Sequence, residues 1–226
     1  YFGALLGHLE RAGLRENTLV VFLSDHGEQL FDHGGWGHGN SVYQEELRIP
    51  LIFSLPGVIP ESKSSNALVQ GVDVLPTLLD LLGVPAPEGG AGRSLLPIIF
   101  GTQPPSLGQA PIYAWSNIRV HGDDALDLAS ENLTSVRQGR WKLVRTTHKR
   151  KSIYNTYQLY RTYQLFDLDS DPGEEVDLWF RQPVVGHTLR QSLETKIRRD
   201  SSLVAPAGEA KPLGAEVEEN LRALGY

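Results

Sequence analysis

The feature that most constrains this chain is the run Leu19-Val20-Val21-Phe22-Leu23, unbroken and apolar, which stops abruptly at Ser24-Asp25-His26-Gly27-Glu28. A half-wet strand alternates apolar and polar residues. A continuous run predicts a strand covered on both faces, as in a parallel α/β sheet. Open α/β sheets bind ligands in the crevice beyond the carboxyl ends of their strands, and the polar stop falls at such a point. A carboxylate and an imidazole side by side there make Asp25 and His26 candidate metal ligands. Taken alone, Asp-His-Gly reads more readily as a plain turn, so the surrounding chain has to decide.

Around this strand the pattern is helical, then extended. Phe2, Leu5, Leu6 and Leu9 recur at helical spacing up to Gly13, a residue suited to ending a helix. Residues 31–40 are rich in glycine and histidine and predict a loop. Ser41 is the expected N-cap of a short helix to Glu46, followed by a strand at 51–54. Asp73 is the expected cap of a further helix, with Pro76 in its first turn, Leu75, Leu78, Leu79 and Leu82 on one side, and Gly83 at its end. Residues 84–111 are rich in proline and glycine and read as a crossing segment. Residues 111–116, 134–138, 141–146 and 163–167 read as strands, and Gln138-Gly139-Arg140 turns between two of them, which predicts a small antiparallel sheet. Helices are expected at 186–199 and 214–224, with a loose linker at 200–213.

Composition excludes several classes. The 226 residues carry a net charge of -6, too acidic for nonspecific nucleic-acid binding, which rests on neutralising phosphates. The basic run His148-Lys149-Arg150-Lys151 reads as a solvated loop. With no cysteine there are no disulfides, thiolate metal sites or cysteine nucleophile in these residues. No apolar stretch approaches the roughly 20 residues of a membrane span. The chain opens on Tyr1 without a signal-peptide pattern and has no methionine, so it is expected to begin inside a longer polypeptide.

Order and context turn the strand-end pair into something specific. Asn17-Thr18, the strand and Asp25-His26-Gly27-Glu28 are followed by Asp32-His33-Gly34, Gly37-His38-Gly39, then Tyr43 through Arg48-Ile49-Pro50. Further on come Val72-Asp73 with Pro76-Thr77, Gly92-Arg93-Ser94-Leu95, Val136-Arg137 with Gly139 and Lys142, Asp167 with Asp171-Pro172-Gly173-Glu174, and the closing Leu224-Gly225-Tyr226. In this order, across nearly the whole chain, these motifs resemble the sulfatase family of the alkaline-phosphatase-like superfamily.

The resemblance implies an α/β fold: the C-terminal part of an alkaline-phosphatase-like mixed-sheet domain over residues 1–110, then a subdomain over 111–226 with an antiparallel sheet and a terminal helix. It implies that Asp25 and His26 hold a divalent metal ion together with two aspartates expected upstream. It implies a formylglycine nucleophile, also expected upstream with the N-terminal half of the enzyme, so that this piece alone would be inactive. His38, between two glycines where relatives carry lysine or histidine, would contact the sulfate and assist departure of the ester oxygen. That role is chemically sound, because cleavage of the S–O bond places negative charge on that oxygen and an imidazole can supply a proton there.

Behind these, His33 and Arg48 are candidates for orienting the ligands. His33 reads first as a brace for its loop, and Arg48 as an ion-pair partner inside the fold. Glu28 and Asp32 read as rim or structural residues, and Asp167, Asp169 and Asp171 as a turn, because the glycine and glutamate of a calcium loop are missing. Calcium is the expected metal and manganese the alternative, since an imidazole ligand shifts preference away from a hard ion. The expected substrate is a small-molecule or carbohydrate sulfate ester. The alternatives are a phosphoester or phosphonate hydrolase or a phosphotransferase on the same scaffold, and a non-catalytic fragment that only binds. The compartment would be the periplasm or the exterior if the missing N-terminus carries a signal peptide, and the cytoplasm otherwise.

Overall fold

The computed structural model describes residues 1–87, 89–102, 109–119, 130–151 and 157–203. Helix α1 (Phe2–Arg11) leads into strand β1 (Val20–Leu23), which pairs antiparallel with β4 (Leu51–Ser54), Val20 opposite Ser54 and Leu23 opposite Leu51. Arg15 fastens this pair by hydrogen-bonding Ser54 Oγ and the Thr18 carbonyl. The antiparallel partner of β1 agrees with the mixed sheet expected of this α/β fold. Among the described residues its neighbour is antiparallel, and Phe22, Leu23 and Ile52 remain exposed, with Phe2 packing on Phe22 at 4.7 Å. An apolar run states that burial is required; what covers it, and in which direction the neighbour runs, are decided elsewhere in the chain.

Between β1 and β4 lie the two-residue strands β2 (Gln29–Leu30) and β3 (Trp36–Gly37), paired as a hairpin, and the single-turn helix α2 (Gln44–Leu47). Ser41 is not its cap. The Ser41 hydroxyl accepts the Tyr43 amide at 3.2 Å, and the Gln44 amide in the first turn of α2 is received by Glu174, 130 residues away. Helix α3 (Val74–Leu81) follows as expected and ends at Gly83. Asp73 precedes it, but its buried carboxylate does not cap that helix; it accepts the amides of Gln70 at 2.9 Å and Arg93 at 3.0 Å. It thereby staples the loop before α4 (Leu96–Ile99) to the start of α3.

The second half is a four-stranded antiparallel meander, β5 (Ile112–Arg119), β6 (Ser130–Gln138), β7 (Trp141–Lys151) and β8 (Tyr157–Asp167), in that spatial order. Its strands outrun the expected segments. Period-two alternation gives it two apolar faces. Val136, Leu143 and Leu165 pack under Leu189 and Leu193 of helix α5 (Pro183–Leu203), while Leu133, Val144 and Phe166 pack on Val42, Tyr43 and Leu47. Burying each such side chain contributes about 1.5–3 kcal/mol. Helix α5 is longer than the expected 186–199. The expected helix at 214–224, and the linker beyond residue 203, lie outside the described residues.

Where the sheet meets α2, the packing includes a charge pair. Lys142 on β7 and Glu174 in the loop after β8 are fully buried, with Nζ and Oε1 2.6 Å apart. Burial lowers the Lys142 pKa, against the attraction of Glu174. Glu174 holds a left-handed backbone, φ 55°, and spends its other oxygen on the Gln44 amide at 2.7 Å. Its carbonyl meets His33 Nε2 at 3.2 Å, while His33 Nδ1 lies 2.7 Å from Glu45 and the imidazole stacks on Tyr43 with centroids 3.8 Å apart. One acidic residue therefore ties the sheet, the start of α2 and the β2–β3 loop together.

Two outcomes are expected. Glu174→Gln leaves Lys142 buried without a counter-charge and destabilises the fold by about 3–5 kcal/mol in urea unfolding, whereas Lys142→Met combined with Glu174→Gln recovers part of that loss. A double variant no better than the single one contradicts the pairing. The second outcome concerns pH. Burial opposes the charge on His33, but its hydrogen bonds to Glu45 and to the Glu174 carbonyl outweigh it and raise its pKa above 6.5. Burial likewise opposes the charge on Glu45, and hydrogen bonds from backbone, Gln29 and His33 lower it below 4.5. A raised histidine stabilises fully below its unfolded value and loses that contribution as pH rises through the folded one; a lowered glutamate does the reverse. The melting temperature of His33→Ala should therefore fall furthest below wild type between about pH 4.5 and 6.5, and the gap should narrow toward pH 8. A gap independent of pH contradicts the ion pair.

Candidate active site

The turn that leaves β1 is pressed against α2. The Gly27 amide donates to the Glu46 carbonyl at 2.8 Å and the Glu28 amide to the Glu45 carbonyl at 3.0 Å. A Cβ on Gly27 would collide with the Glu45 carbonyl oxygen, so this close approach needs glycine. Ser24 Oγ donates to the His26 carbonyl at 2.7 Å, and the His26 amide donates to Asp25 Oδ1 at 3.0 Å. The strand end is thus a rigid corner from which Asp25 and His26 project.

His26 Nδ1 lies 2.7 Å from the Gly27 carbonyl, which can only accept; Nδ1 therefore carries the hydrogen and a neutral ring offers its Nε2 lone pair. That nitrogen is 3.8 Å from Asp25 Oδ2. With bonds of about 2.0–2.2 Å, one cation can span two donors at that spacing. The backbone fixing the tautomer is the usual arrangement behind a ligating histidine.

His38 comes to the same corner from the far side of the hairpin. Gly37 and Gly39, with φ of 86° and 77°, flank it in left-handed conformations that favour glycine. Its ring stacks on His26, centroids 4.1 Å apart, and its Nδ1 is 3.2 Å from Glu28 Oε2. His26, Glu28 and His38 together present donor atoms within 4.8 Å of one another, a grouping that could also hold a metal. The loop after His38 is anchored twice: Gly39 donates its amide to buried Glu46 at 2.6 Å, and its carbonyl accepts Ser116 Oγ from β5 at 2.5 Å.

The structure thus brings Asp25, His26 and His38 together and keeps His33 and Arg48 out of the ligand group. His33 braces the loop through Glu45, Glu174 and Tyr43, as expected for one of its two readings. Arg48 forms no ion pair among the described residues and lines the cleft. The backbone turns away after α2, at φ -83° and ψ 99°, and its acidic neighbours Glu45 and Glu46 point elsewhere. Asp32 accepts the Leu30 amide and Asp171 the amides of Glu175 and Val176, both turn-forming roles. Asp167 is held by Arg140, Ser170 and the Asp169 amide, so its carboxyl falls to about 2.

The sequence reads Glu28 only as a rim or structural residue and gives Glu46 no role at the site. A weak signal existed for Glu28, two residues beyond His26 at the strand end. Glu46 Oε1 is buried without a hydrogen-bond partner among the described residues, while Oε2 holds Gly39.

Comparison with known proteins bears on the family and the fold. The family model described as N-sulphoglucosamine sulphohydrolase, C-terminal, matches residues 32–201. Arylsulfatase K of Canis lupus familiaris is 30% identical over 198 residues, covering 86% of this chain and 34% of that protein. The chain thus spans about a third of the length of the curated relatives it matches. A solved structure of a protein in complex with its substrate D-glucosamine-2-N,6-O-disulfate superposes with a TM-score of 0.67 at 26% identity, over 88% of this chain and 38% of that one. The phosphonate monoester hydrolase of Agrobacterium radiobacter shares the fold, with a TM-score of 0.68 at 21% identity over 87% of this chain and 38% of that one. On the family model, the relative and the shared fold, the chain belongs to the sulfatase family and corresponds to its C-terminal portion.

Proposed function

We propose that the protein to which this chain belongs hydrolyses sulfate esters, and that Asp25, His26 and His38 are its contribution to the active site. The observation that carries this reading is the convergence of an Asp25–His26 donor pair, 3.8 Å apart, with a histidine stacked on it at 4.1 Å, at the carboxyl end of a strand. In the intact protein the nucleophile, a formylglycine, and further metal ligands are expected upstream of Tyr1.

Asp25 and His26 would hold a divalent cation, which when bound polarises the sulfate oxygens. The donor set fits one: a carboxylate, and an imidazole whose tautomer is already fixed by Gly27. Calcium suits the carboxylate and manganese suits the imidazole, so manganese is the alternative at this donor pair. Glu28 takes the Nδ1–H of His38, which leaves Nε2 to face substrate and pass a proton to the departing alcohol oxygen.

The substrate class supported is a sulfated sugar, since the superposed sulfatase-type structure holds a sulfated glucosamine. Phosphoester or phosphonate hydrolysis is the second reading, favoured by the imidazole at position 26 and by the fold shared with a phosphonate monoester hydrolase.

In the intact protein, His38→Ala should lower kcat for an aryl sulfate by about 10²–10⁴-fold, with Glu28→Gln giving a smaller loss. Unchanged turnover in His38→Ala would remove the histidine from the chemistry. Turnover of an aryl phosphonate or phosphate diester well above that of the sulfate would move the assignment to phosphoryl transfer.

A further inference from the structure

Helix α2 carries a buried acid whose two ends serve the two histidines of the site. Glu46 is 4% exposed. Its backbone carbonyl accepts the amide of Gly27 at 2.8 Å, and Gly27 directly follows His26. Its carboxylate accepts the amide of Gly39 at 2.6 Å, and Gly39 directly follows His38. The two histidines stand on either side of the β2–β3 hairpin, yet their rings stack with centroids 4.1 Å apart. One residue thus grips the chain immediately behind each imidazole.

The two grips are not equally replaceable. Gly27 is locked to α2 by paired backbone bonds and by a contact so close that a Cβ would collide. His38 has no such lock among the described residues. It lies between Gly37 and Gly39, both left-handed, and glycine leaves the backbone more freedom than any other residue. Its peptide is therefore placed by the bonds that Gly39 makes: the charge-assisted one to Glu46, and one from Ser116 Oγ to the Gly39 carbonyl. A carboxylate can only accept, so it never turns a donor toward that amide. The platform behind it is stiff. Glu174 holds the Gln44 amide, and Tyr43 and Leu47 pack on the buried cluster of Val42, Leu133, Val144 and Phe166.

We infer that Glu46 is a positioning residue: it sets the separation between the cation corner at His26 and the proton donor His38, and its side chain acts on the reaction by placing that histidine. This rests on the reading of His38 as the group that protonates the departing oxygen, and adds to it a residue that works through the histidine. The consequence is specific. A displaced proton donor costs most where the leaving oxygen most needs the proton, and least for an acidic phenol that departs readily as an anion.

The test compares hydrolysis of phenyl sulfate and para-nitrophenyl sulfate by the intact protein. Wild type, Glu46→Met, Glu46→Gln, His38→Ala and the double variant of His38→Ala with Glu46→Met are measured, with melting temperatures to confirm folding. Glu46→Met should lower kcat for phenyl sulfate by about 10- to 100-fold, with a markedly smaller loss for the nitrophenyl ester and little change in KM. Glu46→Gln, which keeps an acceptor at the same reach, should recover most of that loss. In the His38→Ala background Glu46→Met should add nothing, because the group it places is gone. Ser116→Ala loosens the same loop from the sheet side; it should show the same dependence on leaving group, and it carries the comparison if Glu46→Met does not fold. Equal losses for the two esters, or losses that add in the double variant, overturn the proposal. A wild type that hydrolyses neither ester removes the sulfatase reading instead. Positioning is then read by nuclear magnetic resonance of isotope-labelled histidine: a His38 signal displaced in Glu46→Met and restored in Glu46→Gln sustains it, and an unmoved signal overturns it.

Discussion

The buried pairing of Lys142 with Glu174 is the constraint from which the rest of the site's architecture follows. Burying two charges is costly, and here the offset comes from their mutual attraction and the further polar contacts of the acid. Glu174 has them: Lys142 on one oxygen, the Gln44 amide on the other, and His33 on its carbonyl. Each of these partners lies on a different piece of chain. The pair therefore fixes where the sheet sits relative to α2, and α2 in turn fixes the strand end through the backbone bonds of Gly27 and Glu28. An aliphatic pair could fill the same volume, but it could not specify three hydrogen-bonded attachments.

From that foundation the proposed active-site corner is a matter of short tethers. Gly27 lets two backbones touch, Gly37 and Gly39 reverse the chain around His38, and Glu46 and Ser116 pin the loop beyond it. The three proposed functional side chains are each set by a neighbour that cannot serve them in any other way: the Gly27 carbonyl for His26, Glu28 for His38, and the rigid strand end for Asp25. Such preorganisation matters because groups already aimed at developing charge need not reorient during the reaction.

How much of this the sequence revealed depends on how local the cause was. The helices ending at Gly13 and Gly83, the turn at Gly139 and the alternating strands are written in neighbouring residues, and they were legible. The grouping of Asp25, His26 and His38 followed from motif order. The role of Glu174 was not legible, because its partners lie 32 and 130 residues away and nothing local marks a carboxylate that will be buried. The surroundings of Arg48 were not legible for a related reason: its acidic neighbours Glu45 and Glu46 turn toward Gln29, His33 and Gly39. Asp73 looked like a simple cap, and only the fold brings the Arg93 amide to it. The apolar run of β1 marked a strand, while saying nothing about the direction of its neighbour.

The central claim is that the end of β1 is a cation site built from Asp25 and His26. Titration of the intact, metal-stripped protein with manganese, followed by electron paramagnetic resonance, tests it most directly, with calcium as competitor. The account predicts one tightly bound manganese per chain, displaced by calcium, and loss of that binding in both Asp25→Asn and His26→Ala. Binding that persists unchanged in both variants, or that disappears instead only with Glu28→Gln, would contradict it and place the cation elsewhere.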